Sequence, residues 1–257
     1  MNAWNQQPGA QNRTLSWEEL EQLRRNGRPQ GVTFATDASE ADGVATPVDA
    51  SQAQRVLRNT LMLLAATLGF SALTAGVSLA LGLPHPGLLL TLVGYFGLLF
   101  LVHKLANRAA GILAVFALTG FMGYTLGPIL AAYLKLPNGP QIVFQAFAGT
   151  ALIFAAMAGY GAATRRNLSF MGGFLFVGVL VAFLAGLGAI FFEIPALSLT
   201  VSAVIVLLMA GLILYEVNQI VQGGETNYIL ATVSLFVSIF NLFTSLLHLL
   251  GVFKSDE

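Results

Sequence analysis

Seven apolar stretches, each close to the length of a bilayer crossing, constrain this chain more than any other feature. A membrane's hydrocarbon core is about 30 Å thick, and an α-helix crosses it with about 20 apolar residues. Runs of that kind lie near 61–83, 87–102, 109–134, 142–163, 170–192, 196–218 and 228–253. The second is short, and His103 and Lys104 lend it length by snorkelling. His85 and His103 read as loop residues. Turn chemistry separates the runs: Pro84-His85-Pro86, Pro137-Asn138-Gly139-Pro140, Arg165-Arg166-Asn167, Pro195 and Gln222-Gly223-Gly224. The expectation is an all-α membrane protein, a seven-transmembrane-helix bundle over residues 56–257. Six spans with a re-entrant last segment is the competing topology, because the Gly223-Gly224 loop carries no Lys or Arg to pin it.

Charge patterning supports two environments. Residues 1–60 hold 13 of the 24 charged residues and residues 61–257 only 11, so a soluble globular fold is excluded. Zero net charge argues against a nucleic-acid partner. The absence of Cys removes disulfides, zinc-thiolate sites and thiol nucleophiles. The first 30 residues contain no apolar stretch, so no cleavable signal peptide is expected. Cytoplasmic loops are enriched in Lys and Arg. With the N-terminus inside, Arg55, Arg58, Lys104, Arg108, Arg165 and Arg166 fall on the cytoplasmic side, against Lys135 and Lys254 outside. The N-terminus is therefore placed in the cytoplasm and the C-terminus outside.

Membrane helices associate through close packing and interhelical hydrogen bonds, so small residues mark contact faces. Ala65, Gly69, Ala72, Gly76 and Ala80 form one such stripe, Gly120, Gly123 and Gly127 a second, and Gly178, Ala182 and Gly186 a third. Pro128 can kink the third helix. In the last span Asn227, Ser234, Ser238, Asn241, Ser245 and His248 share a polar stripe. Facing lipid it would be costly, so it should turn inward, toward neighbouring helices or a wet path, which makes the last helix central. Glu216 ends the sixth run near the membrane boundary, and with Ser238 and Asn241 it is the candidate gate or proton site. Glu193, ahead of Pro195, reads as an interface charge.

Chemistry beyond this is sparse. No phosphate-cradling, zincin or nucleophile-elbow motif occurs. Three scattered His make no metal site. Ser245 and His248 have no orienting acid, so no catalytic set can be named and neither enzyme activity nor a cofactor is expected. In the tail, Ser16 caps a short helix near 17–26 with Glu19 as its capping-box partner. Trp17, Leu20, Leu23 and Arg24 give that helix a small docking face. The polar stretch from Arg28 to Ala53 reads as a linker, making residues 1–55 a flexible cytoplasmic tail. Such a tail spans roughly 40 Å at about 5–6 Å per square root of residue number.

Four segments carry a family resemblance: Val56-Leu57-Arg58-Asn59-Thr60, Leu83-Pro84-His85-Pro86-Gly87, the run from Ala117 to Ile129 containing Gly123-Tyr124-Thr125-Leu126-Gly127-Pro128, and Gly223-Gly224-Glu225-Thr226-Asn227-Tyr228-Ile229. Together they make residues from about Val56 to Gly251 resemble the Bax inhibitor-1 family, most closely its bacterial YccA-like branch. The resemblance implies seven helices around a central last one. It also implies a place in the bacterial inner membrane, and a role in restraining the ATP-dependent membrane protease FtsH. Other members are described as pH-sensitive calcium leaks gated by two Asp residues. Here Leu214-Tyr215-Glu216 keeps an acid, whereas Val237-Ser238-Ile239-Phe240-Asn241 puts Ser238 where the second acid would stand. Two like charges sharing a site raise one another's pKa, and a carboxyl beside a hydroxyl cannot do so. The sequence therefore favours a regulator of the protease, with a calcium, cation or proton leak as the alternative.

Overall fold

The computed structural model describes residues 50–164 and 166–255. Among them are seven α-helices and no strand: α1 Ala50–Ala80, α2 Leu88–Leu105, α3 Ala110–Leu134, α4 Gly139–Ala163, α5 Phe170–Phe191, α6 Pro195–Val221 and α7 Tyr228–Ser255. All seven are long and apolar enough to cross a membrane, and the last is one unbroken helix rather than a re-entrant loop. The tail helix expected near 17–26, with Trp17, Leu20, Leu23 and Arg24, lies outside the described residues.

Two boundaries differ from expectation. α1 opens at Ala50, so residues 50–55 are helix and not the end of the tail, and the helix continues unbroken through Thr60. Ala, Gln, Arg and Leu dominate that stretch, and all are good helix formers. α2 runs through His103 and Lys104, which form its last turn instead of a loop; the His103 Nδ1 lies 2.9 Å from the Leu99 carbonyl oxygen. His85 does sit in a connection, where its Nδ1 accepts from the Gly87 amide at 3.0 Å. Gly87 itself adopts φ 86°, a conformation that suits a residue without a Cβ. Glu193 is the non-glycine exception, at φ 50° in the α5–α6 turn.

Helix packing uses two of the three small-residue stripes and passes over the one on α1. Ala65, Gly69, Ala72, Gly76 and Ala80 are all exposed. The buried seam of α1 runs instead through Leu64, Thr67, Ser71, Ala75 and Ser78. The space comes from α3: a Cβ on Gly123 would lie 2.3 Å from the Ser71 carbonyl oxygen, and one on Gly127 2.5 Å from Ser78. With glycine on one side of the seam, the other side can carry hydroxyls, and one of these has a defined task. Pro128 has no N–H, so it cannot serve the carbonyl four residues earlier in its helix. That carbonyl belongs to Tyr124, and the Ser78 hydroxyl of α1 donates to it at 3.0 Å. The third stripe packs as expected, with Ala182 buried and Gly178 pressed against Leu208 of α6.

The last helix is central. α7 packs against α1, α3, α4 and α6, and it buries Leu235, Phe236, Leu242 and Leu247 together with Thr232, Ser238 and Ser245. By contrast, α2 packs mainly on α3 and α5 mainly on α6.

Candidate functional site

An α-helix advances about 1.5 Å per residue, which places Glu216 roughly 7 Å before the end of α6 and Ser238 roughly 15 Å past the start of α7. Antiparallel neighbours with ends level would miss each other. They meet because α7 starts beyond the end of α6. The connection between them carries Asn227 to the α2–α3 turn, where its Nδ2 donates to the Ala106 carbonyl at 3.2 Å and to Asn107 Oδ1 at 3.0 Å. Its Oδ1 accepts from the amides of Ile229 and Leu230 at 2.9 and 3.3 Å. Asn227 is therefore the N-cap of α7 and not part of a polar wall.

With this register set, the Ser238 hydroxyl donates to both carboxyl oxygens of Glu216, at 3.3 and 3.4 Å. Ser238 is fully buried, whereas Glu216 keeps part of its surface open. That open part faces two cavities. One, of about 560 Å³, is walled by α2, α3, α5, α6 and α7, and Ser234, Ser238 and Asn241 line it beside Glu216. The other, of about 420 Å³, is lined by Glu216 and Ser234 and extends to Gln219, Gly224 and Glu225 near the α6–α7 connection. Neither Lys nor Arg lines either cavity, and the basic side chain on the wall of the larger one is His103 of α2. Asn241 turns its Nδ2 to the Val237 carbonyl at 2.8 Å, which hides half its donor capacity within its own helix.

The polar stripe thus divides into three parts. Asn227 caps, while Ser234, Ser238 and Asn241 belong to the cavity that Glu216 shares. Ser245 and His248 lie further along α7, away from the cavities; the His248 Nδ1 lies 2.8 Å from the Ser202 hydroxyl of α6. The Ser202 hydroxyl also lies within hydrogen-bond distance of the Ser198 carbonyl, at 3.0 Å, and its hydrogen bond with His248 forms with either ring tautomer. This bond joins α6 to α7 across their far ends.

One important residue was not singled out by the sequence reading. Asn218 is completely buried; its Oδ1 accepts from the Leu168 amide at 3.1 Å, and its Nδ2 donates to the Arg166 carbonyl at 3.1 Å. It fastens the α4–α5 connection onto α6 two residues past Glu216. The only sequence signal was an uncharged amide in the final turn of an apolar run, which is equally the mark of a helix leaving the membrane.

Residues 53–255 match the model of the family described as inhibitor of apoptosis-promoting Bax1. The chain is 51% identical over 202 residues to the modulator of FtsH protease YccA of Escherichia coli strain K12, covering 79% of this chain and 92% of that protein. It is equally similar to an inner membrane protein YccA of Escherichia coli O6:H1, with the same coverage. An uncharacterized membrane protein of Vibrio cholerae is 38% identical over 207 residues, covering 80% of this chain and 93% of the relative.

Proposed function

Because the chain belongs to the Bax inhibitor-1 family, we propose that it binds the ATP-dependent membrane protease FtsH and restrains it. It is a multi-pass protein of the bacterial inner membrane. The observation that carries the proposal is the 51% identity, sustained over 202 residues, with a relative named as a modulator of that protease. Glycine-lined helix seams support it physically: a bundle packed backbone to backbone at Gly123 resists the pulling by which such a protease extracts membrane substrates. The N-terminal residues ahead of α1, with Trp17, Leu20, Leu23 and Arg24, serve as the handle the protease engages from the cytoplasm. They lie outside the family match, which begins at residue 53.

The test is turnover of known FtsH substrates in cells overproducing the full chain or a version lacking residues 2–49. The full chain should lengthen substrate half-life several-fold, and the shortened one should not. Unchanged half-life with the full chain would remove the proposal; a fully active shortened chain would move the binding surface to the bundle.

A second reading, a cation or proton leak, is favoured by one observation, the position of Glu216 on the walls of two cavities with Ser238 as its partner. Its test is ion flux into proteoliposomes, which Glu216→Gln should cut at least tenfold. Flux indifferent to that substitution would leave the stripe as packing.

A further inference from the structure

α2 and α5 are the two helices with a single main neighbour each, α3 and α6 respectively, and their backbones do not pack on one another. What bridges them is an edge-to-face contact of Phe96 with Phe183, with ring centroids 5.9 Å apart. Both rings line the 560 Å³ cavity, as do Phe176 and Leu180 of α5. All four side chains are also exposed, on helices long and apolar enough to cross a bilayer. This wall of the cavity is thus built from apolar side chains that are themselves exposed. Along α2 it extends from Thr91 to His103, about 18 Å at 1.5 Å per residue. It falls within the range of about 300–1,000 Å³ typical of small-molecule sites. A long slot with apolar walls suits an alkyl chain lying lengthwise.

Polar side chains mark the two ends of the slot on α2, Thr91 and His103, and the largest polar group lies on the opposite wall. Glu216, Ser234, Ser238 and Asn241 come together where α6 and α7 form its floor. The carboxyl takes its side-chain hydrogen bond from Ser238 at 3.3 Å and has no Lys or Arg beside it. An acid in such a place is complemented by a ligand that brings its own N–H donors. An amine and a carboxyl form a strong hydrogen bond whichever of them holds the proton.

We propose that the wedge between α2 and α5 is a binding site for a single-chain amphiphilic amine that enters from the bilayer, with its alkyl chain in the slot and its ammonium group on the Glu216 carboxyl. This site stands apart from the protease reading and does not depend on it. A fatty acid would place a second acid against Glu216, and a fatty alcohol would fill the slot with weaker hydrogen bonds.

The test is binding of radiolabelled dodecylamine to the full chain in phosphatidylcholine nanodiscs, with empty nanodiscs subtracted, competed by unlabelled dodecylamine, dodecanol and dodecanoate. The amine should compete at least tenfold better than the alcohol, and the carboxylate least well. Glu216→Gln should abolish the preference for amine over alcohol. Ser234→Trp, at a position already exposed to the cavities, should fill the slot and abolish saturable binding, with thermal unfolding of both variants confirming their fold. Equal competition by amine and alcohol in the parent protein would overturn the proposal, as would saturable amine binding that both variants retain.

Discussion

The α1–α3 seam and the α2–α5 flank are built from the same kinds of residue and come out opposite. In the seam, Gly123 and Gly127 let the α1 backbone and Ser78 approach until no Cβ would fit. On the flank, Gly97 of α2 and Gly173 of α5 have nothing within 4 Å of an added Cβ, and the aromatic rings of Phe96 and Phe183 meet across a cavity. Glycine is thus a contact signal only when the opposing helix supplies a complementary surface. Where bulky rings intervene, the helices stand off and a cavity remains.

The contrast can be broken most severely at Gly123. Gly123→Ala should destabilise the bundle by about 3 kcal/mol, the upper end of ordinary overpacking costs, because the obstacle is the Ser71 backbone and cannot rotate away. Thermal unfolding in detergent measures it, and a parent-like melting temperature would mean the seam is looser than described. Asn218→Leu comes next, at about 1.5 kcal/mol, since the Leu168 amide and Arg166 carbonyl lose their partner where water reaches them only in part. Limited proteolysis between α4 and α5 should accelerate in step; protection equal to that of the parent would contradict the role given to this amide.

Ser78→Ala should cost about 1 kcal/mol by leaving the Tyr124 carbonyl without its donor. Adding Pro128→Ala restores a backbone N–H to that carbonyl, so the double variant should lie closer to the parent than the sum of the single effects. Additive losses in that cycle would show that the hydroxyl serves some other purpose. The smallest effect belongs to the flank: Gly97→Ala should be neutral or stabilise by up to about 1 kcal/mol, through reduced backbone freedom in the unfolded chain. A clear destabilisation there would mean that α2 has a closer neighbour than α3.

The number of helices was legible because length and apolarity are local properties: a run near 20 residues long is a span whatever surrounds it. Pro195, which opens α6, and Pro140, in the first turn of α4, likewise marked their helix starts without help from the fold. The central place of α7 could be read from its polar stripe, since serine and asparagine in a span need inward partners. Which partner each one takes was not legible. Asn227 reads as the first member of the polar stripe and is a cap, and His248, on the same stripe, meets Ser202 of another helix rather than the cavity.

The stripe on α1 is the sharpest case of the same limit. Ala65, Gly69, Ala72, Gly76 and Ala80 satisfy every local criterion for a packing face and point outward. The seam one position round the helix is used because α3 brings both its glycines and an unserved carbonyl at Tyr124, which Ser78 can satisfy and an alanine or glycine cannot. The sequence by itself determined the membrane environment, the count of spans and the presence of one acid within them, all of which follow from transfer between water and lipid. Only the tertiary structure decided that Glu216 meets Ser238 and faces two cavities. That contact depends on how far α7 starts beyond the end of α6, an axial offset that no local sequence pattern encodes.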